Sequence, residues 1–533
     1  MTASPTRGAL MVCGTTSNAG KTTLVAGLCR LLARRGVSVA PFKAQNMALN
    51  SAVTSTGHEI GRAQYLQAQA ARVTPEVAMN PILLKPTGER SSQVIVMGRP
   101  VGVMSAVEYH AAKPELFSLV AESLSDLRSR FDVVLIEGAG SPAEINLLPH
   151  DIVNLRLALR AGIRAIVVGD IDPGGVFASL YGTVAVLPDE LRDLIGGFVI
   201  NKLRGDPALL LDGTDQLEAL SGVPTLGVVP MLDNLRLDAE DSLALAGTFE
   251  PPGAATLDPS ASPRLDPSAS PRLDIAVIGF PRISNFTDLD PLILEPDVAV
   301  RYVRSPRELG RPDLVVLPGS KATLDDLAWL RERGLDRAIV QLVAPADKEA
   351  RGTGHTTVIG ICGGYQMLGT VVHDEVESGR GTTPGLGLLD VTTTFDADKV
   401  LATKCGSAFG EQVVGYQIHH GRVRPDESNP PSSPPGDQPW LSIDDQPEGF
   451  TRGSVYGTTL HGLFDQDRFR QRFLAGVAAH AGTDFAPGTQ SFDETRQAQL
   501  DRLADHLEAS LDLPAMWSLL EATSSAGSGP SWP

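Results

Sequence analysis

Short apolar, β-branched runs that end in glycine-rich turns recur along this chain and alternate with helical patterns at the spacing of βαβ units. This alternation predicts parallel sheets covered by helices, because a parallel strand pair needs a crossover connection. In the first half the predicted strands are 9–13, 37–42, 93–97, 132–136, 163–169, 195–200 and 225–229, and the predicted helices include 21–35, 58–72, 115–129, 151–161 and 212–221. In the second half the predicted strands are 275–279, 298–303, 313–317, 357–361 and 454–460, and the helices are 321–333, 363–369 and 492–511. The expected fold class is α/β, with two doubly wound domains whose ligands lie at the carboxyl ends of strands.

The first predicted strand opens into a glycine-rich loop that is followed by a lysine, two threonines and a helix. Loop amides and the helix N-terminus can face phosphate oxygens, Lys21 can reach the outer phosphates, and the Thr22 hydroxyl can hold magnesium. Five residues separate Gly14 from Gly20 where the common motif has four, so the match is irregular although its physical parts are present. The predicted nucleotide-binding residues of this loop are Gly14, Thr15, Asn18, Gly20, Lys21, Thr22 and Thr23.

Charged and amide side chains follow other predicted strands of the same sheet. Glu137 and Asp170 each end a buried run, so both carboxylates are predicted to hold the magnesium of the nucleotide, although helix capping is an alternative role. Lys43 comes just after the second strand, where it would face the same crevice or else be a solvated surface lysine. Asn201 and Lys202 follow a later strand and could contact the adenine, but capping or turn formation explains them equally well.

In the second half, an apolar run ends in a cysteine that is bracketed by glycines, Val358-Ile-Gly-Ile-Cys362-Gly363-Gly. A strand-to-helix turn of this kind presents a nucleophile, and a thiol held there can attack a carbonyl carbon. The Gly363 N–H would face the developing oxyanion, and the amides of Gly319 and Ser320, which follow another strand, could complete the oxyanion hole. A structural cysteine before an ordinary glycine turn is the alternative interpretation.

A histidine that could serve this thiol, His461, ends another apolar run about a hundred residues downstream. An imidazole next to a cysteine favours the thiolate and can carry a proton to a leaving amine. Cys362 and His461 are therefore predicted to be a catalytic pair.

Composition restricts the classes of protein to be considered. The chain has 533 residues, of which 42% are hydrophobic and 20% charged, and its formal net charge is −18. This negative charge disfavours nucleic acid and anionic membranes as partners, so the phosphate loop should serve a free nucleotide. The sequence has no run of 18 apolar residues, no signal-peptide pattern and four cysteines without C-x-x-C spacing. We expect a large cytoplasmic enzyme.

Proline-rich stretches divide the chain. Residues 247–273 contain the octapeptide LDPSASPR twice in tandem, and such a stretch cannot bury a core. Residues 425–439 are predicted to be a surface loop. The predicted organisation is a first domain over 1–246, a linker over 247–273, a second domain over 274–522 and a disordered tail over 523–533.

Several longer strings are more specific than either motif. They are PFKAQNMALNS (41–51), AMNPILLKP (78–86), VLIEGAGSPAEINL (134–147), GDIDPGGVFASLYGT (169–183), NKLRGD (201–206), PRISNFTDLDPL (281–292), PGSKATLDDL (318–327) and GYQIHHG (415–421). The first half resembles the dethiobiotin-synthetase type of phosphate-loop ligase, which shares the five-residue loop spacing, and the second half resembles a class I glutamine amidotransferase domain. In this order the two halves resemble the cobyric acid synthase family over nearly the whole chain.

The resemblance implies ATP- and glutamine-dependent amidation of the b, d, e and g carboxylates of adenosylcobyrinic acid a,c-diamide, which gives adenosylcobyric acid in cobalamin biosynthesis. ATP would convert each carboxylate to an acyl phosphate, with Lys21, magnesium and Glu137 stabilising the transferred phosphoryl group and Lys43 orienting the carboxylate. Cys362, activated by His461, would form a γ-glutamyl thioester and release ammonia. The implied substrates are glutamine and a corrinoid polycarboxylate, and the implied cofactors are ATP and Mg²⁺.

Two positions depart from the pattern of class I amidotransferases. Many of these carry a glutamate two residues after the histidine, which orients the imidazole, whereas this chain has Leu463. No third member is visible, so what sets the tautomer of His461 stays open at this point. Gln417 stands where a glutamate is expected, so a role that needs charge there is doubtful, and His419 and His420 are predicted to be structural.

Other functions share some of these features. Cobyrinic acid a,c-diamide synthase has both domains but acts on other carboxylates, and the strings KAQNMALNS and NPILLKP argue against it. A pyrimidine nucleotide synthetase should show the His-x-Glu triad. A partitioning-type ATPase switch with an inert amidotransferase-like domain should carry a lysine where this chain has Thr16, and the presence of Cys362 with His461 also favours an active glutaminase.

Overall fold

The computed structural model describes residues 7–87, 90–237, 273–344, 356–426 and 437–525. The chain divides into two compact units, of which the first comprises Met1–Ala48, Thr54–Glu240 and Thr495–Pro533, and the second comprises Leu49–Val53 and Asp241–Glu494. The predicted linker, apart from Leu273, lies outside the described residues, as do residues 427–436 of the predicted surface loop and the tail from residue 526. No helix in the described ranges is long and apolar enough to cross a membrane.

The described residues before 238 form twelve strands and seven helices. The strands are β1 (Gly8–Gly14), β2 (Val39–Phe42), β3 (Gln45–Met47), β4 (Ser51–Val53), β5 (Glu59–Gly61), β6 (Ile82–Pro86), β7 (Ser91–Val96), β8 (Arg99–Ser105), β9 (Val133–Glu137), β10 (Arg164–Asp170), β11 (Ile195–Leu203) and β12 (Thr225–Pro230). The helices are α1 (Lys21–Arg34), α2 (Arg62–Ala70), α3 (Ala106–Arg130), α4 (Leu155–Ala161), α5 (Val176–Ala185), α6 (Asp189–Arg192) and α7 (Leu211–Ser221). Short 3₁₀ turns occupy Val77–Met79, Leu148–His150 and Pro207–Leu210.

The central sheet of the first unit is parallel and has the strand order β12-β11-β10-β1-β9-β2. The interior positions of β9 and β10 are apolar and buried, as expected for parallel strands covered on both faces, and the carboxylates Glu137 and Asp170 stand at the strand ends. Val12 pairs with Glu137, and Asp170 pairs with Asn201, so the side chains that end these strands lie along one edge of the sheet. The predicted doubly wound α/β fold is confirmed, and the candidate nucleotide residues occupy its carboxyl edge.

One predicted strand belongs to a different sheet. The run predicted as 93–97 is β7, which lies in a four-stranded sheet of order β3-β6-β7-β8 where its partners β6 and β8 are antiparallel. The two residues between β7 and β8, Met97 and Gly98, both have positive φ angles, of 47° and 74°. This is a tight hairpin turn, and so short a connection can join only antiparallel strands.

Eleven strands and eight helices are formed by the described residues after 272. The strands are β13 (Leu273–Ile278), β14 (Val298–Val303), β15 (Leu314–Leu317), β16 (Thr357–Ile361), β17 (Val371–Asp374), β18 (Gly381–Pro384), β19 (Val391–Ala408), β20 (Glu411–Pro425), β21 (Gln438–Ile443), β22 (Gln446–Arg452) and β23 (Val455–Thr458). The helices are α8 (Asp290–Ile293), α9 (Pro306–Leu309), α10 (Thr323–Glu332), α11 (Leu335–Val343), α12 (Gly363–Leu368), α13 (Asp467–Ala481), α14 (Phe492–Ser510) and α15 (Leu513–Ser525). Two 3₁₀ turns occupy Phe286–Leu289 and Leu463–Asp465.

The second unit is built on one mixed sheet. Strands β14-β13-β15-β16-β23 run parallel, and the sheet continues through the antiparallel strands β22, β21 and β19 to β17 and β18, with β20 paired to β19. Because β16 and β23 are adjacent and parallel, the segments that follow them begin side by side at one edge. Those segments carry Cys362 and His461.

The C-terminal helices belong to the first unit, which differs from the predicted second domain over 274–522. Most of α14 and all of α15 fall in the first unit, and Leu507, Met516 and Trp517 are part of its hydrophobic core. A Cβ at Gly27 of α1 would lie 2.4 Å from a Leu507 methyl, so the two helices touch at a glycine. The spacing of apolar residues predicts a buried helix face, but it does not identify which sheet or helix covers that face.

A buried arginine stabilises the second unit close to Phe464, which follows His461 in the chain. Arg470 of α13 is 1% exposed, and its guanidinium donates to Glu295 Oε1 at 2.7 Å and to the Phe464 carbonyl oxygen at 2.8 Å. Replacing Arg470 by leucine would leave the Glu295 carboxylate buried without its cation, which should lower the free energy of unfolding by about 3–5 kcal/mol. Urea unfolding followed by circular dichroism would measure this change. The control is Arg468→Leu at an exposed position of the same helix, and equal midpoints for the two variants would contradict the expected effect.

Candidate active sites

The glycine-rich loop between β1 and α1 folds around the Lys21 side chain. Lys21 is 4% exposed, and its Nζ donates to the carbonyl oxygens of Thr16 at 2.8 Å and Gly140 at 3.1 Å. Gly20 has a φ of 94°, and a Cβ there would lie 2.2 Å from the Asn201 side-chain nitrogen. A residue with a side chain is therefore excluded at position 20 by both conformation and space. The loop has the form of an anion cradle at a helix N-terminus.

The Glu137 carboxylate is the centre of this site. It is fully buried and accepts hydrogen bonds from the Thr22 hydroxyl at 2.7 Å, from Lys43 Nζ at 2.8 Å and from Gln67 Nε2 at 2.6 Å. The loop helix, the end of β2 and α2 thus converge on one carboxylate. Hydroxyl and carboxylate oxygens are the ligands that Mg²⁺ prefers, so Thr22 and Glu137 are chemically suited to hold it.

Gln67 is a member of this site that the sequence interpretation missed. Its side chain is fully buried on α2 and its amide also donates to the Thr22 carbonyl oxygen at 3.3 Å. The available signal was the pair Gln64 and Gln67, which stand three residues apart among alanine and leucine in a predicted helix. Glutamines on an otherwise buried helix face indicate a polar partner inside the protein.

Asp170 forms an ion pair with Lys202 next to the phosphate loop. Its Oδ2 accepts from Lys202 Nζ at 2.6 Å, and Lys202 Nζ also donates to the Asn18 carbonyl oxygen at 2.7 Å. In the described part of the chain no cluster of three or more histidine, cysteine, aspartate or glutamate side chains could hold a metal ion. A metal-ligand role for Asp170 therefore stays a prediction, without support from its present contacts.

The remaining loop residues are held mainly by backbone contacts. Asn201 Nδ2 donates to the Ala19 carbonyl oxygen at 2.9 Å, and the Thr15 N–H donates to Val168 at 2.9 Å, which ties the loop to β10 and β11. Thr23 and Asn18 are exposed. Asn201 and Lys202 thus brace the loop, whereas their contact with adenine stays a prediction.

In the second unit Cys362 occupies a strained turn between β16 and α12. Its φ is 50° and its ψ is −107°, a conformation that residues with side chains rarely adopt. Its N–H donates to the Thr458 carbonyl oxygen at 2.8 Å, and Sγ lies 3.7 Å from the Ile418 carbonyl oxygen. This geometry is the predicted strand-to-helix elbow, which projects the sulfur at the carboxyl edge of the sheet.

His461 is oriented by Asp288, which lies 173 residues before it in the sequence. Nδ1 of His461 is 2.7 Å from Asp288 Oδ2, and Asp288 Oδ1 accepts from the Gly462 N–H at 2.8 Å. Both side chains are buried, with relative exposures of 2% and 4%. Because Nδ1 of His461 is hydrogen-bonded to the Asp288 carboxylate, Nε2 is the ring nitrogen that can interact with the Cys362 sulfur. Asp288 fills the position of the orienting glutamate that Leu463 replaces.

The charges of this arrangement favour a protonated imidazole. Burial by itself would lower the pKa of His461, but the Asp288 carboxylate and the Cys362 sulfur outweigh burial and raise this pKa to about 10. His461 is therefore an imidazolium at neutral pH, and a cation beside the Cys362 sulfur is the kind of partner that a nucleophilic cysteine needs.

The three predicted oxyanion residues lie around the same turn. A Cβ at Gly363 would be 2.8 Å from the Ser320 amide nitrogen, and a Cβ at Gly319 would be 3.0 Å from the His461 ring. The Ser320 hydroxyl donates to the buried Asp326 at 2.5 Å, which holds the loop in place. The structure brings Gly319, Ser320 and Gly363 together, and their oxyanion role stays a prediction.

Gln417 takes part in a polar network instead of carrying a charge. Its Nε2 donates to the Thr459 hydroxyl at 2.7 Å, and that hydroxyl contacts Glu448 Oε1 at 2.7 Å. Burial raises the pKa of the Glu448 carboxyl. A glutamate at position 417 would bring a second carboxylate to this network, so glutamine is the compatible residue here.

His419 and His420 are both anchored to the backbone. Their Nδ1 atoms lie 2.7 Å and 2.9 Å from the carbonyl oxygens of Gly421 and Asp396. Burial lowers the pKa of His419 to about 4, so its ring is neutral at physiological pH. These contacts agree with the structural role predicted for both residues.

Comparison with known proteins gives matches to both halves of the chain. Residues 10–244 match the family model of the CobQ/CobB/MinD/ParA nucleotide binding domain, and residues 274–469 match that of the CobB/CobQ-like glutamine amidotransferase domain. A solved glutamine amidotransferase aligns with 38% of this chain and 98% of its own at 16% identity and a TM-score of 0.29, which is too low to support an argument.

Curated relatives match over nearly the full length. A cobyric acid synthase of Rhodococcus jostii is 52% identical over 531 residues, which cover 99% of this chain and 98% of that protein. A cobyric acid synthase of Streptomyces coelicolor is 49% identical, with 98% of both chains covered. One of Frankia casuarinae is 50% identical, again with 98% of both covered.

Proposed function

The chain belongs to the cobyric acid synthase family, and on this premise we propose that it amidates side-chain carboxylates of a corrinoid with ATP and with nitrogen from glutamine. The substrate proposed is adenosylcobyrinic acid a,c-diamide, which is amidated at its b, d, e and g carboxylates. The observation that carries the proposal is the presence, in one chain, of a buried Cys362–His461–Asp288 arrangement and a phosphate loop centred on Glu137.

The second unit supplies the nitrogen. Asp288 orients His461, and the imidazolium stabilises the Cys362 thiolate, which attacks the side-chain amide carbon of glutamine. The oxyanion that forms faces the amides near Ser320 and Gly363. His461 then donates its proton to the leaving nitrogen, ammonia departs, and a γ-glutamyl thioester remains on the sulfur. Water hydrolyses the thioester to glutamate and restores the thiolate.

The first unit makes the carboxylate reactive. A carboxylate is a poor acyl donor because its leaving group would be oxide, so the γ-phosphoryl group of ATP is first transferred to it. Lys21 lies inside the loop, where its ammonium can stabilise the charge of the moving phosphoryl group. Thr22 and Glu137 would hold Mg²⁺, which supplies further neutralisation of the phosphates. Lys43 contributes a second cation beside Glu137, where it can orient the substrate carboxylate. Ammonia then displaces phosphate from the acyl phosphate and leaves the amide.

The product identifies the activity. The protein is incubated with the a,c-diamide corrinoid, MgATP and glutamine labelled with ¹⁵N in its side-chain amide, and the products are followed by mass spectrometry. Four successive exchanges of hydroxyl for labelled amide are the expected result. Two exchanges on an unamidated precursor, with none on the a,c-diamide, would instead identify the a,c-diamide synthase activity.

Replacing Asp288 by asparagine should lower glutamine hydrolysis by about a hundredfold or more, because the imidazole loses the acceptor that sets its tautomer and stabilises its charge. The raised pKa of His461 also predicts the direction in which the pH profile of glutamine hydrolysis should shift. Wild type keeps the imidazolium until the pH rises through about 10, so the alkaline limb of its pH profile should lie there, and in Asp288→Asn it should move to lower pH. Glutamate release measured across pH tests both effects.

The matched control for Asp288→Asn is Asp444→Asn, which changes an exposed aspartate of the same unit that pairs with Lys404. It should leave rate and pH profile unchanged. An Asp288→Asn variant with the wild-type rate and alkaline limb would show that Asp288 does not act on His461.

A further inference from the structure

The first unit has an apolar groove on its surface that neither candidate site uses. Its volume is about 410 Å³, and it lies between α3, α4 and the loop that follows β9. Its apolar lining includes Phe117, Ile145, Leu148, Leu159 and, from α6, Leu191. Ile145 is 61% exposed and Leu159 41% exposed, so water covers apolar surface that a folded monomer ordinarily buries.

Two arginines make the groove cationic in a protein whose net charge is −18. Arg156 and Arg160 both line it, and the Arg160 guanidinium lies 5.9 Å from the centre of the Phe117 ring. Glu190 is the single carboxylate among its lining residues. An apolar floor with guanidinium groups at its rim fits a ligand that is itself flat and apolar but carries carboxylates at its edge.

One segment of the chain contributes residues both to the groove and to the phosphate site. Residues 138–154 run from Glu137 to the start of α4 and include Gly140, whose carbonyl oxygen accepts from Lys21. Asn154 clamps this segment, because its side chain donates to the Ala139 carbonyl oxygen at 2.8 Å and accepts from the Ala139 N–H at 3.1 Å. Asn154 immediately precedes α4, which carries Arg156, so the start of this groove-lining helix is tied to the residues that follow Glu137.

We propose that this groove binds one edge of the macrocyclic polycarboxylate substrate while another edge presents its carboxylate to the phosphate site. This inference rests on the proposed function and deepens it. The groove is large enough for an edge of the ring with its side chains but not for the whole molecule. A substrate amidated at four places must bind in several orientations, which requires a surface without a directional pattern. Apolar area is non-directional and arginine side chains are long and adaptable, so the groove meets this requirement.

The test measures corrinoid affinity. Equilibrium dialysis of the a,c-diamide against the full-length protein, read by corrinoid absorbance, gives Kd for wild type, Ile145→Asp and Arg156→Glu. Each substitution should raise Kd about tenfold, and the effect of Arg156→Glu should shrink at high salt because it is electrostatic. The controls are Leu209→Asp, at an apolar residue 83% exposed elsewhere in the first unit, and Arg307→Glu, at an exposed arginine of the second unit. Both controls should keep the wild-type Kd.

The outcomes separate this inference from the proposed function. Binding of a non-hydrolysable ATP analogue reports whether each variant is folded. If Ile145→Asp fails this check, Arg156→Glu, which changes an exposed residue, decides alone. Absence of corrinoid binding by wild type would overturn the proposed function itself. Wild-type binding and turnover, with unchanged Kd in the folded groove variants, would overturn only the groove. Unchanged Kd together with a variant-dependent change of mass in light scattering would assign the groove to contacts between copies of the chain and would equally overturn the inference.

Discussion

Replacement of Cys362 by serine should lower glutamine hydrolysis by about ten-thousandfold, because a hydroxyl at this turn is far less acidic than a thiol and His461 cannot hold it as an anion. Amidation supported by free ammonia should continue, since the phosphate site does not depend on the sulfur. Glutamate release and corrinoid amidation are measured separately, the first with glutamine and the second with ammonium salt.

The matched control for Cys362→Ser is Cys405→Ser, because Cys405 is an exposed free cysteine of the same unit. This control should keep both activities. Equal glutamate release by Cys362→Ser and wild type would refute the assignment of the nucleophile.

Replacement of Lys21 by alanine should lower amidation about a thousandfold with either nitrogen source, because the phosphoryl group in transfer loses the cation held inside the loop. The measurement is amide product formed with ammonium salt, together with phosphate release. Lys404→Ala removes a half-buried lysine of the second unit that pairs with the exposed Asp444, and it should have little effect on either quantity.

The two variants distinguish the two sites. Cys362→Ser should lose only the reaction that uses glutamine, whereas Lys21→Ala should lose amidation with glutamine and with ammonia alike. Full ammonia-dependent amidation by Lys21→Ala would show that the loop does not bind the reacting nucleotide as proposed.

Much of the site was predictable because its parts are local. The glycine-rich loop before Lys21 and the turn at Cys362 each combine a buried strand, small residues and a functional side chain within a dozen positions. In a parallel sheet the carboxyl ends of strands share one edge, so Lys43 and Glu137 could be expected together before their 2.8 Å contact was seen. The α/β fold and the family follow from the same strings.

The contact between Asp288 and His461 could not be predicted from the sequence. Asp288 lies in the specific string PRISNFTDLDPL, but the position at which the family pattern places an orienting carboxylate, two residues after His461, holds Leu463. The 3₁₀ turn that carries Asp288 meets His461 only through the packing of segments 173 residues apart. An acidic residue in an apolar surrounding, in an otherwise specific string, was the only available signal.

The amino-acid sequence by itself determined the alternation of strands and helices, the phosphate loop, the cysteine turn and the family, because each depends on propensities and spacings within short segments. Tertiary structure alone decided that Asp288 orients His461, that Gln67 holds Glu137, and that most of α14 and all of α15 belong to the first unit. Those pairings depend on which buried faces meet across long sequence separations. A periodic pattern of apolar residues predicts that one face of a helix is buried, but the helix or sheet that covers this face is decided by packing in the folded protein.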